Sequence, residues 1–269
     1  MDDSEILQTL IQIANEAGAI LMEGWESRPK TESKAALHDL VTAFDRRSEV
    51  LVLERLKRAF PECAVVGEEG GRVEQAAGAP VFYVDPLDGT INFTHGLPLF
   101  AVSIGLVKDG VPTLGVVHAP ALGFTFSGAV GLGAFRNGRA LSVSAAQRVQ
   151  EALVVTGFPS TRPEPNENIP EFTALNSSSR GTRRLGSAAL DLAFVAAGWL
   201  DGAWERRLSP WDVAGGAALV AAAGGRVTDL DGGLLDVKNG RVLATNGLIH
   251  HELCEQLRGV ALQTGSVWP

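Results

Sequence analysis

Apolar residues recur every three or four positions near the start of the chain. Ile6, Leu10, Ile13, Ala17, Ile20 and Leu21 share one side, which predicts an amphipathic helix over residues 4–24. Residues 25–37 are polar, include Pro29, and read as a loop. A second helix is predicted over 43–60, stopped by Pro61. Residues 63–67 then form a short apolar strand that ends at Glu68-Glu69-Gly70-Gly71. Val81-Phe82-Tyr83-Val84 is a further strand, with Asp85 at its end. Residues 101–107 and 111–118 flank the hairpin signal Asp109-Gly110, and 124–127 and the stretch around Ala134-Phe135 extend the sheet, with Asn137-Gly138 as another tight turn. Two helices followed by an antiparallel meander is the expected order.

After about residue 150 the pattern alternates. A strand is predicted at 152–156, a long polar loop with a helix inside at 157–179, and a helix at 187–197 with Ser187 as N-cap. A strand at 201–205, a helix at 211–223, strands at 225–228 and 242–245, and a helix over 248–258 complete it. The expected organisation is an N-terminal α+β half, residues 1–145, packed on a C-terminal α/β half, residues 146–269.

Composition changes this picture only in places. At 269 residues, 45% hydrophobic, with 31 glycines, the chain has enough apolar surface for a full core. Its net charge of −8 argues against direct nucleic-acid binding. The same charge opposes an anionic substrate unless metal ions reverse the local field. The two cysteines, Cys63 and Cys254, give no metal or redox spacing, and Cys63 reads as a core residue. Met1-Asp2-Asp3-Ser4 lacks a signal-peptide pattern, and stretches such as 217–223 are too short to span a bilayer, so a cytoplasmic protein with no membrane association is expected.

The densest chemistry lies in Asp85-Pro86-Leu87-Asp88-Gly89-Thr90. Pro86 is expected to turn the chain sharply and bring both acids to one pole of the sheet. Carboxylates that close repel unless a hard cation binds them. Gly89 and Thr90 follow at the start of a helical turn, where free amides can hold a phosphate. Each acid alone has a second reading. Glu68-Glu69 reads also as a solvated turn, and Asp88 as an N-cap. Thr42-Ala43-Phe44-Asp45 and Ser209-Pro210-Trp211-Asp212 both have the form of a capping box.

Taken together, Glu68-Glu69, the run from Asp85 to Phe93, and Trp211-Asp212-Val213-Ala214-Gly215-Gly216 resemble the signature blocks of the inositol monophosphatase family. The resemblance continues through Asp39-Leu40-Val41-Thr42, the run from Gly186 to Leu192, and Ala223-Gly224-Gly225. It implies a layered α-β-α-β-α sandwich and hydrolysis of a small phosphorylated polyol or sugar, most directly inositol monophosphate, by metal-activated water. By resemblance, Glu68, Asp85 and the Leu87 carbonyl hold one Mg2+, and Asp85, Asp88 and Asp212 a second. A further weak magnesium site is implied near Glu68. The Thr90 hydroxyl, paired with Asp45, orients the attacking water, and Glu68 belongs to the same catalytic group. Gly89 and Thr90 amides meet the phosphate; Gly186, Ala188 and Glu205 face ring hydroxyls, beside Asp212. Lys34 matches a family lysine near the metals. Lithium sensitivity and a homodimer are implied in the same way.

His38 stands where the family commonly has proline. Arg206-Arg207 is expected on the surface, His250-His251 exposed, His95 structural, and the Arg180, Arg183, Arg184 cluster bland. Gly131-Leu132-Gly133 lacks the third glycine of a dinucleotide site. Three alternatives share these features. One is fructose-1,6-bisphosphatase or 3′(2′),5′-bisphosphate nucleotidase activity on the same scaffold, although nucleotidases usually carry a Lys-Glu pair after the Gly-Thr. Another is haloacid dehalogenase-type chemistry, whose two acids are separated by one residue, not two. The last is a binding role with transcription machinery.

Overall fold

The computed structural model describes residues 1–25, 32–33, 40–158 and 168–264. Its helices are α1 (Asp3–Trp25), α2 (Ala43–Ala59), α3 (Thr90–His95), α4 (Ile169–Ser178), α5 (Ala188–Ala196), α6 (Pro210–Ala222) and α7 (His250–Thr264). The strands of the first half are β1 (Glu32–Ser33), β2 (Leu40–Val41), β3 (Ala64–Gly67), β4 (Arg72–Val73), β5 (Val81–Asp88), β6 (Ala101–Lys108), β7 (Val111–Ala119), β8 (Phe124–Ala129), β9 (Gly133–Arg136) and β10 (Arg139–Leu141). Those of the second are β11 (Leu153–Thr156), β12 (Gly181–Arg183), β13 (Gly202–Glu205), β14 (Arg226–Thr228) and β15 (Val242–Thr245).

One sheet has the order β10-β9-β8-β7-β6-β5-β3-β4, antiparallel except for β3 beside β5. The other has the order β12-β11-β13-β15-β14, with β11 parallel to both its neighbours. Helices α1 and α2 cover the outer face of the first sheet. Helices α5 and α6 lie between the sheets, and α4 and α7 cover the second sheet from outside. This is the layered α-β-α-β-α sandwich expected from the sequence.

Periodicity explains the layers. Helix α1 buries Ile6, Leu10, Ile13, Ala17 and Leu21 on one stripe, against β6, β7 and β8 of the sheet. Helices α5 and α6 are buried nearly all round, as middle-layer helices must be, and their sequences are correspondingly apolar on every side. No helix among the described residues is long and apolar enough to cross a membrane.

Several expectations need correction. Strand β5 does not end at Asp85, and Pro86 does not turn the chain away. The strand continues to Asp88 through a bulge, with Asp85 paired to Ser103 and Asp88 to Ala101. A proline that cannot donate to a ladder is accommodated at such a bulge. The presumed loop at 25–37 contains β1. His250 is buried, between the Thr228 and Thr245 hydroxyls at 2.9 Å each, because α7 starts at this residue and turns it inward; His251 is exposed. Arg206 is also buried, paired with Glu171 at 2.8 Å, while Arg207 is exposed. Cys63 is buried as expected. Lys34, His38 and Asp39 lie outside the described residues.

The backbone of helix α6 at Gly215 approaches the first sheet closely at Gly105 and Gly115. Gly105 and Gly115 face each other across β6 and β7. A Cβ on Gly115 would come within 2.9 Å of the Gly215 carbonyl carbon. Gly115→Ala is therefore expected to lower stability by about 1–3 kcal/mol, because backbone cannot yield as a side chain can. Gly259 lies within α7 with open space around it, so Gly259→Ala should stabilise by up to about 1 kcal/mol. Urea unfolding of both variants measures the contrast.

Candidate active site

The bulge in β5 makes the site. Along a regular strand, residues three apart point to opposite faces. One extra residue between Asp85 and Asp88 resets the alternation, and both acids line the same cavity. The Asp85 carboxylate accepts the Leu87 amide at 3.0 Å, which braces the bulge from inside. Ser48 of α2 donates to the Pro86 carbonyl at 3.0 Å and braces it from behind.

Glu68 follows β3, the parallel neighbour of β5, so its carboxyl group reaches the same end of the sheet. Its loop is held by Glu49, whose two carboxylate oxygens accept the Glu69 amide at 2.7 Å and the Gly71 amide at 2.9 Å. Asp212 is the third residue of α6, and its carboxylate accepts the Ser209 amide at 2.7 Å. The capping-box reading of this segment is thus correct, and the residue still lines the cavity. Asp45 behaves alike. Its Oδ2 caps Thr42, while Oδ1 lies 3.4 Å from the Thr90 hydroxyl.

Asp88 is not the cap of α3; that place belongs to Gly89, at φ +90°. A side chain there would be strained, and a Cβ would lie 2.8 Å from the Leu99 carbonyl oxygen. Asp88 instead reaches across to α5, accepting the Ser187 hydroxyl at 2.6 Å and the Ala189 amide at 2.7 Å. Asn92 makes a second cross-link, donating to the carbonyls of Leu99 at 2.7 Å and Leu185 at 2.8 Å.

The resulting cavity, about 190 Å³, is lined by Glu68, Asp85, Leu87, Asp88, Gly89, Thr90, Gly186, Ala188, Glu205 and Asp212 among others. Every described site residue expected from the sequence lines it except Asp45, which sits behind Thr90; Lys34 lies outside the described residues. A larger, mostly apolar hollow of about 700 Å³, near Tyr83 and Leu235, contains none of these acids.

The electrostatics are severe. Burial, followed by the charges of Glu68, Asp88 and Asp212, holds the Asp85 carboxyl well above the usual range. Asp212 is raised by burial and then by Asp88 and Glu68. Burial lifts Asp88 to about 6 against the lowering effect of Ser187, and lifts Asp45 to about 6 against its Thr42 bonds. Among the described residues no three His, Cys, Asp or Glu side chains are gathered tightly enough to hold a metal ion as they stand. The acids share a cavity and feel each other's charge without closing into a cage. Oxygen-only donors under mutual repulsion are nevertheless the set that a hard divalent cation suits.

Sequence reasoning missed Asp191, Ser187, Arg184 and Phe158, which also line the cavity, and the bracing pair Ser48 and Glu49. Arg184 is therefore not the bland surface charge expected. A signal was present for Ser48 and Glu49. They fall with Asp45 on the buried stripe of α2, where Val52 and Leu56 continue it, and polar residues on such a stripe need a partner. Asp191 likewise sits inside an otherwise apolar helix.

The sequence and the fold recur in known proteins. An inositol-1-monophosphatase of Synechocystis sp. is 44% identical over 256 residues, covering 93% of this chain and 89% of its own. The Nus factor SuhB of Pseudomonas aeruginosa is 40% identical over 248 residues, covering 90% and 91%. The solved structure of inositol monophosphatase from Anabaena (Nostoc) sp. superposes with a TM-score of 0.87 at 42% identity, covering 95% of this chain and 96% of that one. The inositol monophosphatase family model matches residues 2–261, from α1 through nearly all of α7 and across every acid of the cavity. With fold and sequence in agreement, this chain belongs to the inositol monophosphatase family.

Proposed function

We propose that the protein is a magnesium-dependent phosphatase that hydrolyses the phosphate monoester of a small polyol, inositol monophosphate foremost. The observation that carries this reading is the convergence of Glu68, Asp85, Asp88 and Asp212 on one cavity beside the Gly89-Thr90 turn. Glu68, Asp85 and the Leu87 carbonyl would hold one magnesium ion, and Asp85, Asp88 and Asp212 another. Bound there, magnesium neutralises the phosphate and lowers the pKa of water in its shell. Lithium inhibition and a homodimer rest on family membership alone.

The remaining work falls to the protein. Gly89 carries no side chain and so leaves its amide and that of Thr90 accessible to phosphate oxygens. The Thr90 hydroxyl has Asp45 and the Leu87 carbonyl, at 3.1 Å, as acceptors for its single hydrogen. Its lone pairs are then left to orient a water. The water oxygen bonds to phosphorus as the ester P–O bond breaks. The proton lost by water passes toward Thr90 and Asp45, whose pKa of about 6 suits it to receive one near neutrality. The leaving alkoxide takes a proton from solvent, giving free polyol and inorganic phosphate. Gly186, Ala188 and Glu205 would face the polyol.

A phosphomonoester panel with and without magnesium tests this function. Inositol 1-phosphate should turn over faster than fructose 1,6-bisphosphate or adenosine 3′,5′-bisphosphate, and only with the metal. Faster turnover of either bisphosphate would reassign the substrate.

Asp85→Asn should reduce kcat/KM by at least about a hundredfold, since it removes the carboxylate shared by both proposed ions. The same change removes a buried repelling charge. The metal-free variant should therefore melt no lower than wild type at pH 8. A clear loss of Tm with retained activity would contradict both halves of the assignment.

Stability should also follow pH in the direction of the raised pKa values. Asp45 and Asp88 at about 6, and Glu205 at about 8, bind protons more tightly folded than unfolded. Stability of the metal-free protein is thus favoured below their unfolded values and lost as pH rises through about 6 and then about 8. Magnesium should raise Tm more at pH 8 than at pH 5. Equal increments in a thermal shift experiment would contradict this account.

A further inference from the structure

The cavity is lined mainly by acids and small residues, yet among the described residues its wall carries one aromatic ring, Phe158. Phe158 stands two residues beyond the end of β11, which runs parallel to β13 with Thr156 beside Trp204. Its strand end therefore lies next to the one that carries Glu205, on the side of the cavity built by the second sheet. Phe172 of α4 packs against the ring, with centroids 5.8 Å apart. Even so, Phe158 is only half-buried. A ring needed for core packing alone would be fully covered, as Phe93, Phe100 and Phe126 are.

The segment is held more firmly than a connection between elements requires. Asn168, directly before α4, is 1% exposed and sits at φ +63°. Its Nδ2 donates to the Gly157 carbonyl and to the Thr156 hydroxyl, each at 2.7 Å. Its Oδ1 accepts the Trp204 indole N–H at 2.7 Å. One buried side chain thus ties the approach to Phe158, the start of α4 and β13 together. Gly157 sets a limit on one side, since a Cβ there would lie 2.9 Å from the Glu205 carboxyl carbon. Pinned backbone before the ring and a second ring against it fix where Phe158 stands.

We propose that Phe158 is a specificity-determining residue whose ring packs on the C–H face of a cyclic alcohol in the substrate. This inference rests on the polyol phosphatase reading above and deepens it by naming the residue that prefers a ring. A cyclic polyol turns most of its hydroxyl groups outward around its edge and leaves C–H groups across its two faces. The acids and Arg184 of the cavity suit the edge, where O–H groups donate and accept. An aromatic ring suits a face, because it attracts C–H groups and removes their area from water. An open-chain alcohol has no such face and gains less. The ring takes no part in the chemistry at phosphorus; it decides which ester is held.

Steady-state kinetics at saturating magnesium on inositol 1-phosphate and on glycerol 2-phosphate, whose alcohol is an open chain, tests the assignment. Phe158→Ala should raise KM for inositol 1-phosphate about fivefold or more, with kcat within about twofold and little change for glycerol 2-phosphate. Phe158→Tyr, which keeps the aromatic face, should stay within about twofold of wild type on both esters. Phe172→Ala removes the supporting ring without touching the cavity lining, and should shift KM in the same direction by a smaller factor. Equal losses on both esters in folded Phe158→Ala, or a Tyr variant no better than Ala, overturn the proposal. If Phe158→Ala does not fold, an unchanged ratio between the esters in Phe172→Ala overturns it as well. A lower KM for glycerol 2-phosphate than for inositol 1-phosphate in the wild type overturns it without any variant. Absence of magnesium-dependent hydrolysis of both esters by the wild type is a different result, and it overturns the phosphatase reading itself.

Discussion

Mutual repulsion among buried carboxylates is the constraint on which the rest of this structure depends. Two such charges 4 Å apart at an effective dielectric of 20 repel by roughly 4 kcal/mol. A domain has only about 5–15 kcal/mol of net stability. Glu68, Asp85, Asp88 and Asp212 cannot all be ionised in one cavity without compensation on that scale. The raised pKa values of Asp85, Asp88 and Asp212 express this stress. The fold tolerates it by bracing. Asp85 is bonded to Leu87, Asp88 to Ser187 and Ala189, Asp212 to Ser209, and the Glu68 loop is held through Glu49.

The bracing explains why each acid had two plausible readings in the sequence. Asp45 and Asp212 are both the third residue of a helix with a capping box; Asp212 also lines the cavity, and Asp45 also meets Thr90 of its wall. A carboxylate has two oxygens, and the backbone needs only one of them. In Asp45, Oδ2 serves the cap and Oδ1 meets Thr90. The structural and functional readings therefore do not compete. The cap fixes the rotamer, and a fixed rotamer is what places the second oxygen.

Most of the architecture was legible for the same reason. Amphipathic periodicity located α1 and α2, turn pairs located the β6–β7 hairpin, and the apolar run from Ala214 to Val220 located a middle-layer helix. Illegible features were those set by contacts distant in sequence. Nothing local says that β5 passes Pro86 as a bulge, because the pairing partners Ser103 and Ala101 decide it. Nothing local places His250 between Thr228 and Thr245, or Arg206 against Glu171. The acids of the cavity were found by resemblance and by spacing. Asp191 was passed over because a single acid in an apolar helix acquires meaning only once the cavity it lines is seen.

The position of the site follows from how the layers join. Asp85 and Asp88 come from the first sheet, while Glu205 ends a strand of the second. Asp212 rides on α6, which rests on Gly105 and Gly115 of the first sheet while packing toward the second. A close glycine contact is a stiff one, since there is no side chain to readjust. Any shift of α6 relative to β6 and β7 moves Asp212 relative to Asp85 by about the same distance. Stiffness at this joint opposes the repulsion that would push the helix off, so the same backbone contact that packs the core also keeps like charges together. A site built from one sheet alone would lack that counterforce. Placing the acids on both sides of the joint makes the packing energy of the middle layer available to hold them.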